Sequence, residues 1–192
     1  HVLDRFNGRK KLHFRVTGNP KGSASFGVQH MFIGDPSGAL KAVDWNSRNL
    51  FFDDVKMRIH SQLFVWGVVN SIPRQRGFLW GVKSGSGIFS TPSVGDGKVI
   101  ATDFSGKVIA VNETDGKKLW LYETNTPIAS SPSATSRIAL VGDTSGTLHA
   151  LDASTGQLLW DYHTGAQISA TPVIAGGLIY LASEDGTLYV LE

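Results

Sequence analysis

Histidines and carboxylates are the residues best able to do chemistry in this chain, so their spacing comes first. The six histidines are His1, His13, His30, His60, His149 and His163. No two stand four residues apart, as a helical zinc pair would, and none sits in a metal-ligating motif with a carboxylate. The chain has no cysteine, which excludes thiolate catalysis, disulfides and cysteine zinc sites. No Gly-x-Ser-x-Gly nucleophile elbow occurs. Gly85-Ser86-Gly87 opens a strand pattern and not a helix, so it does not read as a phosphate loop. No catalytic, cofactor-binding or metal-binding residue follows from these patterns, and no cofactor is expected.

The remaining carboxylates lead to the architecture. Asp103 and Asp143 stand forty residues apart, each two residues before a Ser-Gly step. An aspartate there caps its own hairpin by accepting backbone N–H groups. Asp4, Asp44 and Asp152, with Asn112, precede a second recurring turn and carry the same reading. His149 occupies a strand position filled by Ile109 and Tyr189 in sister units, which makes it structural.

The forty-residue step recurs in three further markers. Trp80, Trp120 and Trp160 keep it, as do Pro92, Pro132 and Pro172, and as do Gly106, Gly146 and Gly186. Gly116 and Gly156 mark the turn that precedes the last two tryptophans. A fixed period of this size is the mark of a repeat fold. Each unit reads as four short strands rich in β-branched and aromatic residues, separated by Gly/Asp/Ser turns, and no segment shows a helical period. One such sheet buries neither face by itself; radial stacking covers both and leaves only short edges. The chain therefore predicts an all-β propeller of four-stranded antiparallel blades.

The N-terminal half keeps the phase in weaker form, with Leu12 and then Phe52 at the tryptophan position. Every step is forty except that from Phe52 to Trp80, which is twenty-eight. About five blades are expected, at 19–55, 56–84 (irregular), 85–124, 125–164, and 165–192 completed by 1–18. The N-terminal strand would then seal the ring. A segment missing near 53–79 would allow six or seven blades.

Apolar residues make up 41% and charged residues 18%, which suits a folded domain. No apolar run approaches the roughly 20 residues of a membrane-spanning helix. The first residues are not a signal peptide, so export would require that one has been removed. Residues 1–80 hold 12 Lys/Arg against 5 Asp/Glu, and residues 81–192 hold 6 against 11. The basic charges are scattered and read as a solvated face, with no specific nucleic-acid partner expected.

The pattern Ala-x-Asp/Asn-x-x-x-Gly-x-x-x-Trp at 110–120 and 150–160 resembles the tryptophan-docking repeat of PQQ-like β-propellers. That superfamily includes quinoprotein alcohol dehydrogenases and an outer-membrane assembly lipoprotein. The Ser/Thr-Pro steps and the Asp-x-Ser-Gly hairpins are similar to it too. The resemblance is strong over 81–192, moderate over 1–55 and poor over 56–79. It implies a periplasmic or extracellular location. Dehydrogenases of this kind carry an adjacent cysteine pair and about eight blades; this chain has neither.

The expectation is thus a non-enzymatic scaffold or accessory subunit that binds protein partners within a larger complex. Alternatives are a degenerate or fragmentary PQQ-dependent dehydrogenase and a carbohydrate- or anion-binding propeller. The repeat residues Trp80, Trp120, Trp160, Phe52, Gly106, Gly116, Gly146, Gly156, Gly186, Asp103, Asp143 and Asp152 are expected to build the fold. Where the repeat breaks, Asp53, Asp54, Trp66, Arg74 and Arg76 are the expected partner surface. Asp53 and Asp54 read as a solvated turn, and Trp66 as core of an irregular blade or an exposed patch.

Overall fold

A computed structural model describes residues 2–71 and 73–192, so His1 lies outside the described residues. It holds five antiparallel sheets. Three are complete, with four strands in meander order. The first complete sheet joins β3 (Ser25–Phe26), β4 (Met31–Gly34), β5 (Ala39–Val43) and β6 (Phe78–Lys83). The second joins β7 (Ser93–Gly95), β8 (Lys98–Thr102), β9 (Lys107–Asn112) and β10 (Lys118–Glu123). The third joins β11 (Ser133–Ala134), β12 (Ile138–Gly142), β13 (Thr147–Asp152) and β14 (Leu158–His163). A three-stranded sheet follows, made of β15 (Val173–Ala175), β16 (Leu178–Ala182) and β17 (Leu188–Leu191). The fifth sheet is the hairpin of β1 (Val2–Leu3) and β2 (Lys10–Leu12).

Stacking of successive sheets forms the core. Phe32, Leu40 and Ala42 of the first sheet meet Val99, Ala101 and Val111 of the second. Ile100, Val108 and Ala110 on the other face of the second sheet meet Ala139, Val141 and Leu151 of the third. Leu140, Leu148 and Ala150 then meet Ile179 and Leu181 of the fourth. The middle strands β8, β9, β12 and β13 are thus buried on both faces, and their runs of Val, Ile, Leu and Ala follow from that.

Three expectations need correction. First, the chain does contain a helix, α1 (Asp53–Val65). No residue of it is buried. Its more sheltered positions include Asp53, Met57 and Ser61, while Val55 and Ile59 face solvent. Apolar residues lie on both sides of the helix, Met57 and Leu63 half-buried and Val55 and Ile59 exposed, so it lacks the single inward apolar stripe of a packed helix. Asp53 and Asp54 in the first turn complement the helix dipole.

Second, Phe52 is not a repeat anchor. The residue paired with Ala42 is Trp80, just as Trp120 pairs with Ala110 and Trp160 with Ala150. Residues 19–55 and 56–84 are therefore not two blades. They contribute one sheet, with twenty-eight extra residues inserted between its third and fourth strands. The step from Leu12 to Trp80 is one repeat plus this insert, so the irregular spacing marks an addition and no lost segment. Six or seven blades are not needed to restore the phase.

Third, the N-terminal strand does not seal the ring. Among the described residues, β2 pairs with β1 and β17 with β16 alone. No described helix is long and apolar enough to cross a membrane.

Candidate functional site

The repeat residues mark two kinds of local structure. Asp143 is almost fully buried, and its Oδ1 accepts Ser145 N at 2.9 Å, Ser145 Oγ at 2.8 Å and Thr147 N at 2.8 Å. Asp103 does the same with Ser105 and Lys107. Asp35, in phase with both, accepts Ser37 N, Ser37 Oγ and Ala39 N. The glycine that follows takes positive φ in each hairpin: +79° at Gly38, +97° at Gly106 and +89° at Gly146. Asp152 caps the exposed second turn through Ser154 N and Thr155 N.

The second oxygen of each buried aspartate is used differently. Asp143 Oδ2 accepts from Thr126 Oγ1 and meets His149 Nε2 at 3.1 Å. Burial opposes the Asp143 charge, but hydrogen bonds from Thr126, Thr147 and Ser145, with His149, outweigh it and lower its pKa. Asp35 Oδ2 holds Lys41 Nζ at 2.6 Å. Burial again opposes ionisation, yet Lys41, Ser37 and Ala39 bring the Asp35 pKa down to about 2. Asp35 and Lys41 lie in phase with the later repeats, which is the signal that could have singled them out.

The tryptophans link one sheet to the next. Trp80 Nε1 donates to the Glu113 carbonyl at 3.2 Å, and Trp120 Nε1 donates to the Ala153 carbonyl at 3.1 Å. Gly116 lies beneath Trp80 and Gly156 beneath Trp120. Trp160 is 37% exposed, where Trp120 is 6% exposed.

The insert forms the one region that the repeat does not explain. Phe52 begins α1 and is 61% exposed, and Trp66 ends it at 71% exposed. Together with Phe51, Val55 and Ile59 they make an apolar face turned to solvent. Arg76 binds Asp53 through Nε at 2.6 Å and Nη2 at 3.1 Å, a bidentate pair that ties the returning chain to the helix start. The Arg76 contact and a hydrogen bond from Leu50 N lower the Asp53 pKa, and the Asp53 carboxylate in turn raises that of Arg76. Asp54 lines the same cleft as this pair, with His13, Arg15 and Arg58. Arg74 lies over the Phe78 ring at 5.9 Å. Of the five expected surface residues, Asp53, Asp54 and Arg76 share one cleft, Arg74 borders a neighbouring one, and Trp66 stands at the far end of the helix.

Sequence reasoning missed what the insert does to the N-terminal strand. Asn49 Oδ1 accepts His13 N at 2.7 Å. Gln75 Oε1 accepts Arg15 N at 2.6 Å, and Gln75 Nε2 donates to the Arg15 carbonyl at 2.8 Å. These contacts span 36 and 60 residues, so no local pattern announces them.

A family model described as outer membrane protein assembly factor BamB matches residues 76–139 and 105–192. No curated protein matches the chain. Among solved structures, BamB from Moraxella catarrhalis is 24% identical, with a TM-score of 0.66 over 89% of this chain and 46% of that one. The computationally designed Ika8 protein is 18% identical, with a TM-score of 0.67 over 88% of this chain and 44% of that one. The designed Ika4 protein is also 18% identical, with a TM-score of 0.67 over 92% of this chain and 94% of that one. These likenesses are of fold, and the chain spans less than half the length of the BamB structure. From the matched repeats, the chain belongs to the PQQ-like β-propeller repeat family represented by outer membrane protein assembly factor BamB.

Proposed function

We propose that this chain is a non-catalytic accessory propeller of outer-membrane protein assembly, acting at the periplasmic face of that membrane. In this reading the regular sheets are a rigid frame, and the insert carries the contact with a protein partner of the assembly machinery. The observation that supports it most is α1. It is a helix with no buried residue, set between two strands of an otherwise regular sheet, with Phe52, Val55, Ile59 and Trp66 facing solvent. Contiguous exposed apolar side chains of this kind mark interaction surfaces. Aromatic residues such as Phe51 and Trp66 suit the centre of a protein interface.

Site-specific photo-crosslinking tests this reading. A photoreactive residue placed at Val55, Ile59 or Trp66 is expected to trap a component of the β-barrel assembly machinery in Gram-negative cells. The same residue at Leu158 or Leu159, exposed on the third sheet, is expected to trap it at least tenfold less. Equal trapping at all five positions, or none at the insert, would sink the proposal.

A further inference from the structure

We propose that the cleft between the insert and the N-terminal segment receives an acidic, aromatic-bearing segment of a protein partner, with Arg15 and Arg58 as anchors for its carboxylates. This rests on the reading that the insert carries the partner contact, and it names the chemistry which that contact accepts.

The charge of the chain supplies the first observation. Residues 1–80 hold 12 Lys/Arg against 5 Asp/Glu. Among the described residues, Asp4, Asp35 and Asp53 are each spent on one cation, Lys11, Lys41 and Arg76. Asp44 serves its own turn, where it accepts Asn46 N and Ser47 Oγ. Most of the positive charge is left without a carboxylate.

The fold gathers part of that charge at the insert. Two cavities share Arg15, Met57 and Arg58 in their walls. The larger, of about 660 Å³, runs along α1 beside Met57, Ile59, Leu63 and Trp66, and no described carboxylate lines it. The smaller, of about 230 Å³, holds Asp54 and the Asp53–Arg76 pair. Neither Arg15 nor Arg58 forms a salt bridge with a described residue, and nor does Asp54. Two guanidiniums thus meet a single uncommitted carboxylate, beside an apolar groove.

Both arginines stand on fixed supports. Gln75 Oε1 accepts Arg15 N at 2.6 Å, and Gln75 Nε2 donates to the Arg15 carbonyl at 2.8 Å. The bidentate Asp53–Arg76 pair holds the start of α1, little more than a turn before Arg58. Groups held in place beforehand lose less freedom when a ligand arrives.

The chemistry selects the occupant. A guanidinium is a planar fork that takes a carboxylate through two parallel hydrogen bonds. The groove beside it offers aliphatic and indole surface to a ring. An extended peptide supplies both at once, because residues i and i+2 lie on one face. Both arginines line recesses, which suit inserted side chains better than the flat surface of a bilayer.

The test uses the 192-residue chain and two fluorescein-labelled peptides, Gly-Asp-Ser-Phe-Ser-Asp-Gly and Gly-Asn-Ser-Phe-Ser-Asn-Gly, followed by anisotropy. The acidic peptide is expected to bind about tenfold tighter or more. Arg15→Gln and Arg58→Gln change exposed residues. Each should weaken the acidic peptide by about tenfold and leave the far-UV circular dichroism unchanged. Arg48→Gln removes the same charge outside both cavities and should change binding by less than about twofold, since salt screens it. Equal affinity for the two peptides overturns the proposal, as does no binding of the acidic one. So does an Arg48→Gln loss that matches the others, which would mean that net charge alone attracts the peptide. Vesicles of phosphatidylglycerol and phosphatidylcholine provide the competing anion. If they bind through both arginines and displace the peptide, the site belongs to a membrane and the proposal falls. These measurements need no assembly machinery, so they can fail while cross-linking at α1 succeeds, and the reverse.

Discussion

Gly156 lies directly under the indole of Trp120: a Cβ at Gly156 would come within 2.6 Å of Trp120 Cδ2. The same turn puts the Ala153 carbonyl 3.1 Å from Trp120 Nε1. The glycine is needed twice over, for the close approach of the ring and for its φ of +73°. Gly116 and Trp80 repeat the arrangement one sheet earlier, again with 2.6 Å to a Cβ.

Gly156→Ala should therefore destabilise by more than backbone strain. Gly97 separates the two effects, because its φ is +70° with nothing within 4 Å of a Cβ. Gly97→Ala is expected to cost about 1 kcal/mol from the left-handed backbone alone. Gly156→Ala adds displacement of the indole and should cost about 2–4 kcal/mol in total. Thermal melts of the two variants decide this. Equal losses would mean that the ring moves aside freely.

The tryptophans should not be equivalent, although the sequence spaces them equally. Trp120 is 6% exposed with its N–H satisfied; Trp160 is 37% exposed. Trp120→Ala is expected to cost about 3–5 kcal/mol, and Trp160→Ala about half of that or less. Urea midpoints at one protein concentration measure both. Matching losses would show that Trp160 has a cover in solution that the isolated chain does not provide.

Asp35 gives an acid-side prediction. Its folded pKa of about 2 lies below the ordinary 3.8, so the unfolded chain takes up the proton first as pH falls. The stabilisation is complete above about pH 4 and lost as pH drops toward 2. The shift corresponds to about 2 kcal/mol. Urea unfolding of the wild type and of Asp35→Asn should differ most at pH 5–6 and converge near pH 2. A gap independent of pH would place the effect outside the Lys41 contact.

His149 tests whether the buried histidine beside Asp143 is structural. The same position holds Ile109 one sheet earlier, so His149→Ile should change stability by about 1 kcal/mol or less. Asp143→Ala removes the acceptor of two backbone N–H groups in a buried hairpin. It should cost about 2–4 kcal/mol, because those donors are left unsatisfied. Denaturant curves of both variants rank them directly. A larger loss for His149→Ile would reverse the assignment.

These contrasts show what the sequence made legible and why. Strand pattern, hairpin aspartates and tryptophan spacing are local and repeat with one period, so three complete sheets could be read from the spacing. Phe52 misled because an aromatic residue falls in phase by coincidence, forty before no true partner, while the true partner of Ala42 is Trp80. The helix was hidden because its apolar residues are scattered round it, with Met57 and Leu63 half-buried and Val55 and Ile59 exposed, so no helical period stands out. The clasp of Asn49 and Gln75 on the N-terminal strand joins residues too far apart for any periodic signal.

The insert itself supplies the last prediction. No residue of α1 is buried, and the third and fourth strands of the first sheet pair on either side of it as their sisters do without it. Replacing residues 45–76 with the four-residue turn Ala-Ser-Thr-Gly, taken from the third sheet, should therefore leave the β circular dichroism spectrum intact. The change should instead appear at the N-terminal strand, which loses its acceptors at Asn49 and Gln75. Trypsin cleavage after Lys10 or Lys11 should accelerate by about tenfold or more, since local opening then becomes the easy route. Global unfolding of the shortened chain would mean that the insert belongs to the core. Unchanged cleavage would mean that Leu12, buried against Gly77, holds the strand without the clasp.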